Sequence, residues 1–205
     1  MQQPDIPPSP APSASQPRPR QAGGPPTITP QPKHRSLWRE LPVLVVIAFV
    51  VALLIKSFVL QAFYIPSASM EPTLSKGDRV LVNKVSYDLH DVHRGDVIVF
   101  KGPEQAEGQV KDLIKRVIGL PGDTVEARPD GLVYVNGQPI DEPYLGPGIT
   151  TGPLEPQTIP PKHYWVMGDN RGNSKDSRFF GPIDESLIIG RAFVKVWPIQ
   201  HFRLL

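Results

Sequence analysis

The segment Tyr64-Ile65-Pro66-Ser67-Ala68-Ser69-Met70-Glu71-Pro72-Thr73-Leu74 sets two serine hydroxyls between two prolines. Proline locks its own φ, so Ser-Ala-Ser is held stiff, and its small side chains let another backbone come close. A serine hydroxyl attacks a carbonyl only when a base takes its proton. The sequence pattern places none of the five histidines for that task. Lysine can do it where burial lowers its pKa from about 10.4. Nine of the ten lysines sit in tails, turns, polar stretches or an ordinary strand. Lys115 differs. On a strand, Leu113, Lys115 and Val117 share one face, while Ile114 and Ile118 flank Arg116 on the other. One of these two bases points inward, and periodicity does not choose between them.

Other chemistries lack their signatures. There is no G-x-S-x-G elbow, no S-x-x-K and no H-E-x-x-H. With no cysteine in the chain, a disulfide scaffold, a thiolate metal site and a cysteine nucleophile are all excluded. His90 and His93 have a metal-like spacing but lie in a polar turn without a third ligand, so no metal is expected there. The oxygen-rich run Gly168 to Asn173 lacks the acidic residues of a calcium loop. Arg94-Gly95-Asp96 reads as a turn opening the strand DVIVF. No cofactor is expected.

These residues need a scaffold, and the texture from Pro72 onward is β. RVLVNKV (79–85), DVIVF (96–100), LIKRVIGL (113–120), GLVYV (131–135), YWVMG (164–168) and IIGRAFVKVW (188–197) alternate with Gly, Pro, Asn and Asp punctuation. Thr124 to Ile140 reads as strand, turn at Pro129-Asp130-Gly131, strand, and turn at Asn136-Gly137. No amphipathic helical pattern of ten residues follows residue 61. The expectation is a mainly β fold, an antiparallel sheet domain over residues 61–205. The prolines and polar turns of 141–161 read as one long exposed connection.

Upstream, residues 41–60 (LPVLVVIAFVVALLIKSFVL) have no charge before Lys56. Twenty helical residues rise roughly 30 Å, the thickness of a bilayer core. The reading is one N-terminal transmembrane helix. A cleaved secretory signal is the rival, given Ser67-Ala68-Ser69, but a 40-residue n-region and Pro66 beside that site speak against it. Residues 1–40 form a Pro-rich tail: 11 of the chain's 26 prolines fall in the first 32 residues, which carry too little apolar surface to fold. The net charge of +2 divides into +3 for residues 1–40 and −1 for the rest. Positive charge beside an apolar run points to a membrane and away from nucleic acid. The positive-inside rule puts the N-terminus in the cytoplasm and the β domain outside it.

Four ordered blocks carry a resemblance: YIPSASMEPTL (64–74), RGDVIVF (94–100), LIKRVIGLPGD (113–123) and MGDNRGNSKDSR (167–178). Together with the preceding apolar segment they resemble the type I signal peptidases, bacterial membrane proteases that remove signal peptides from exported proteins. The resemblance implies Ser69 as nucleophile and Lys115 as general base. It implies that Ser67 donates to the oxyanion beside the Ser69 amide, and that Ser174 orients the lysine amine. Asp176, Arg178, Arg116, Asp169 and Asn170 would be structural supports. Phe63, Ile65, Met70 and Ile114 match positions lining shallow apolar pockets for small substrate residues. The middle position of the PSxSM motif is often glycine in the family and is Ala68 here, a mild departure. About 40 residues separate GLPGD from MGDN, which suggests the compact form of the fold without a large inserted β subdomain.

The implied partners are signal-peptide-bearing preproteins and the lipid bilayer, with a monomeric enzyme in the cytoplasmic membrane and no nucleic acid. A membrane-anchored β domain that binds exported peptides without cutting them is the alternative; it should lack Ser69 or Lys115. A self-cleaving repressor pairs serine and lysine in the same way but needs a helical DNA-binding domain where this chain has its tail and apolar run.

Overall fold

Short β-branched runs broken by glycine and proline become strands of two antiparallel sheets in the computed structural model, which describes residues 37–54, 59–103 and 111–205. The tail expected over residues 1–40 lies outside them but for its last four residues. The first element is helix α1 (Leu37–Leu54), and all its described side chains, 40–53, are exposed. The expected helical run of 41–60 is shorter at its end, because Leu60 already opens strand β1 (Leu60–Tyr64). Residues 55–58 of that run lie outside the description. Among the described residues no helix is long and apolar enough to cross a membrane.

The larger sheet has the order β1-β2-β11-β3-β4-β9-β10. Its strands are β1, β2 (Arg79–Asn83), β3 (Val97–Lys101), β4 (Asp112–Gly119), β9 (His163–Met167), β10 (Ile183–Asp184) and β11 (Ile188–Trp197). A short β12 (Arg203–Leu204) pairs with β11. The expected strands therefore form where the alternation lies. Two one-turn helices, α2 (Ser86–Leu89) and α3 (Ser177–Phe180), are the other α-helices among the described residues. Arg94-Gly95-Asp96 is the expected turn: Gly95 has φ +93°, which suits a residue without Cβ, and Asp96 accepts from the His93 amide at 3.0 Å.

The smaller sheet, ordered β7-β6-β5-β8, comprises β5 (Thr124–Ala127), β6 (Val133–Val135), β7 (Gln138–Pro139) and β8 (Leu154–Thr158). The hairpin turns at 129–131 and 136–137 stand where the sequence puts them, with Asn136 and Gly137 both at positive φ. Residues 141–161, however, are not one exposed connection. Leu154–Thr158 pairs with β5, and Thr151 is buried. The strand was hidden by Pro156, which a sheet tolerates at an edge, and β8 is an edge.

Three apolar clusters fill the interior. One lies under the Ser69 segment, with Ile65, Met70, Leu74, Val80, Val82, Val97, Val99, Ile114 and Ala192. A second joins the two sheets through Ile118, Val125, Ile159, Trp165 and Met167. The third lies on the far face with Val92, Ile98, Phe100, Val117, Val166 and Ile183. The large sheet is thus covered on both faces near β4. That is why Leu113 is half-buried yet Ile114 to Gly119 are all buried, and why Lys115 and Arg116 point in opposite directions without either reaching open solvent.

Candidate active site

Ser69 lies in the loop that follows β1. Its turn is closed by the Glu71 amide on the Ala68 carbonyl (3.1 Å) and by the Leu74 amide on the Met70 carbonyl (2.8 Å). The fully buried side chains of Met70 and Leu74 pin this turn to the first cluster. Lys115 arrives from the middle of β4. Its Nζ donates to Ser69 Oγ at 2.8 Å and to the Ile114 carbonyl at 3.0 Å. The hydroxyl of Ser67 donates to Ser69 Oγ at 3.3 Å.

Lys115 is only 3% exposed, and no carboxylate among the described residues lies within ion-pairing distance of it. Burial disfavours its charged form and lowers its pKa from 10.5 to about 8, against an opposing pull from Asp176 and Asp169. Each of those two carboxylates is matched by its own guanidinium. Arg116 grips Asp169 in a two-pronged bond, Nε at 2.9 Å and Nη2 at 2.7 Å, and also donates to the Gly95 carbonyl at 2.8 Å. Arg178 holds Asp176 with both Nε and Nη2 at 2.8 Å. Both acids are fully buried. Asp176 also accepts the Gly168 amide at 3.0 Å and, as the N-cap of α3, the Arg178 amide.

Asn170 fastens the Gly168–Asn173 turn to the serine loop. Its amide donates to the Ser69 carbonyl at 3.1 Å, and its Nδ2 to the Ala68 carbonyl at 3.1 Å. Ser174 is buried close by, but its Oγ makes no hydrogen bond; the lysine amine is not held by it in this arrangement. Of the four expected pocket residues, Ile65 and Met70 are fully buried core, Ile114 is nearly so, and Phe63 packs half-buried against them.

Several supporting residues escaped sequence reasoning. Thr73 donates to Asp169. Arg171 donates to the Gly168 carbonyl at 3.1 Å and pairs with Glu142. The Tyr144 ring lies 3.9 Å from the Arg116 guanidinium carbon. Arg171 stands inside the MGDNRGNSKDSR block and could have been noticed there. Glu142 and Tyr144 carried no signal, because their segment reads as loop. Gly168 is the tightest point: a Cβ there would lie 2.4 Å from the Ser69 carbonyl oxygen and 2.3 Å from Ser174 Oγ. Gly168→Ala is therefore expected to push the serine loop away and cut the rate of catalysis by about a hundredfold. Activity of the purified variant within threefold of the parent would show that the loops can part without cost.

Comparison with known proteins gives the class first. The family model described as signal peptidase, peptidase S26, matches residues 38–197. A probable signal peptidase I-2 of Synechocystis sp. is 44% identical over 174 residues, covering 83% of this chain and 78% of that one. A signal peptidase I of Mycobacterium tuberculosis is 38% identical over 84% of this chain and 76% of its own length. Signal peptidase IB of Staphylococcus aureus is 39% identical over 78% of this chain and 89% of its own. The chain belongs to the S26 signal peptidase family, and within it to the type I signal peptidases, which are serine proteases.

Proposed function

We propose that this enzyme removes signal peptides with Ser69 as nucleophile and Lys115 as its base, through an acyl-enzyme. The observation that carries the reading is the 2.8 Å contact between Lys115 Nζ and Ser69 Oγ, made by a lysine whose burial brings the neutral amine within reach of ordinary pH. The neutral amine accepts the hydroxyl proton along that line as Ser69 Oγ bonds to the scissile carbonyl carbon. Collapse of the tetrahedral species breaks the C–N bond, and the lysine returns the proton to the leaving amine. Water, deprotonated by the same amine, then attacks the acyl carbon; the bond from that carbon to Ser69 Oγ breaks, the amine returns the proton to Oγ, and the signal peptide leaves as its carboxylate. Ser67 and the Ser69 amide are the donors for the oxyanion; each such donor is worth about 2.7–4 kcal/mol.

The substrate binds as an extended strand. In support, β4 pairs with β9 only from Arg116 onward, which leaves Asp112–Lys115 without a strand partner among the described residues on the side away from β3. That unpaired stretch ends at Lys115. Phe63 packs half-buried against the cluster that holds Ile65, Met70 and Ile114, and the small apolar pockets for substrate residues are assigned to that cluster. Ser174, whose buried Oγ has no hydrogen-bond partner here, is assigned to orienting the lysine amine, with Asp176 and Arg178 bracing its loop. Residues 41–60 anchor the chain in the cytoplasmic membrane, the catalytic domain lying outside it. The apolar, exposed surface of α1 supports that placement, and anchoring raises the local concentration of emerging signal peptides. The enzyme acts as a monomer.

The test is cleavage of a purified preprotein bearing an Ala-x-Ala site by the detergent-solubilised protein. One cut after the second alanine is expected, and replacing that alanine with phenylalanine should abolish it. Stable binding of the preprotein without any cut would favour the non-catalytic peptide-binding domain instead.

A further inference from the structure

The three buried or partly buried ion pairs around Ser69 and Lys115 are not alike in where they lead. Arg116–Asp169 and Arg178–Asp176 join residues within the catalytic blocks. Arg171–Glu142 reaches out to a segment beyond them. Arg171 is 3% exposed, and every nitrogen of its guanidinium is engaged. Nε donates to the Gly168 carbonyl at 3.1 Å, Nη1 to Glu142 Oε2 at 3.0 Å and to Thr151 Oγ1 at 2.6 Å, and Nη2 to Glu142 Oε1. Glu142 Oε1 also accepts the Tyr144 hydroxyl at 2.6 Å. Burial and the adjacent carboxylate push that hydroxyl's pKa up, so it stays a donor. The segment then touches the catalytic parts twice more. The Tyr144 ring covers Arg116, and Gly146 lies so that a Cβ there would be 3.7 Å from Pro72 in the serine loop.

We propose that Glu142 is a positioning residue for the hydrolytic centre: its carboxylate clamps Arg171, and Arg171 in turn fixes the Gly168–Asn170 turn against the Ser69 backbone. The inference rests on Ser69 being the nucleophile. The mechanical chain is short. Glu142 holds the guanidinium, the guanidinium holds the Gly168 carbonyl, and Asn170, two residues on, donates to the carbonyls of Ala68 and Ser69. Gly168 is held by its amide on Asp176 and by its carbonyl on Arg171, so losing the carbonyl contact removes one of its two backbone anchors. A buried guanidinium deprived of its carboxylate would swing toward another charge, and Asp169 is the other carboxylate whose charge acts on Arg171, so its grip on the Gly168 carbonyl would loosen. Residues 141–151 thus act as a strap from the smaller sheet onto the catalytic loop.

The test compares full-length wild type, Glu142→Gln, Glu142→Asp and Arg171→Met in detergent, on a preprotein with an Ala-x-Ala site. Glu142→Gln keeps the shape and an acceptor for Tyr144 while removing the charge. It should lower kcat about tenfold to a hundredfold with KM within twofold, since the defect is alignment and not binding. Glu142→Asp should recover part of that loss. Arg171→Met should lose as much, and the double variant Glu142→Gln/Arg171→Met no more than the worse single change. Amide exchange of intact protein gives a second readout independent of turnover. The Asn170 amide should exchange faster in Glu142→Gln, with β2 unchanged. Wild-type kcat and an unchanged Asn170 amide in Glu142→Gln would overturn the proposal, as would losses that multiply in the double variant. A wild type that binds but never cuts would overturn the reading beneath it, a result distinct from either.

Discussion

Ser69→Ala and Lys115→Met are each expected to abolish preprotein cleavage, with kcat lowered by at least about ten-thousandfold, and the two together to lose no more than either alone. The non-additivity is the informative part. A nucleophile without its base and a base without its nucleophile are the same broken step, and the 2.8 Å contact makes the two atoms one unit. Both variants should remain folded. Ser69→Ala removes one hydroxyl from a tight turn. Lys115→Met replaces a buried amine, held with a lowered pKa, by an apolar chain of similar length, so the native state loses a desolvation cost. Its melting temperature at pH 7 should equal or exceed that of the parent. Ser75→Ala, at an exposed side chain outside the site, serves as the control that keeps activity. Cleavage by Lys115→Met at even a tenth of the parental rate would assign the base elsewhere.

Arg116→Met is expected to unfold the protein more readily than any other single change in the site. It leaves Asp169 fully buried with its charge unmatched, and removing one partner of a buried pair costs about 3–5 kcal/mol. The guanidinium also supports the Gly95 carbonyl and packs under Tyr144, so the loss should fall at the upper end. For a domain of this size that is roughly a 10–20 °C fall in Tm. Calorimetry of Arg116→Met beside Arg116→Met/Asp169→Asn separates charge from packing. The second change removes the orphaned charge and should recover part of the loss. A double variant as unstable as the single one would mean that Arg116 stabilises through packing alone.

What the sequence made legible was whatever obeyed a local rule. IIGRAFVKVW became β11 from Ile188 to Trp197 because β-branched alternation and covered faces demand the same conformation. Asn136-Gly137 turned where a two-residue hairpin loop needs positive φ. Lys115 was legible as unusual but not as inward. The period-two rule assumes one wet face, and β4 has none. Pairing partners distant in sequence were not legible at all. Glu142 meets Arg171 across 29 residues and Thr73 meets Asp169 across 96, and no spacing rule links them. Leu154–Thr158 looked like loop because its prolines and polar residues hid an edge strand whose only demand was the open side of β5. The four-block resemblance supplied roles for residues such as Ser174 that no periodicity could single out, and at that residue the geometry falls short of the expected contact.

If the base is a lysine amine kept neutral by burial, kcat/KM on a preprotein must follow the titration of that amine. Lys115 works only when deprotonated, so the rate should be flat above its pKa of about 8 and fall about tenfold per pH unit below it. A histidine base would instead hold the plateau down to about pH 6.5. A single acid limb near 8 is the result expected. A plateau that persists to pH 6.5 would rule out Lys115 as the base, because its amine is mostly protonated over the lower part of that range.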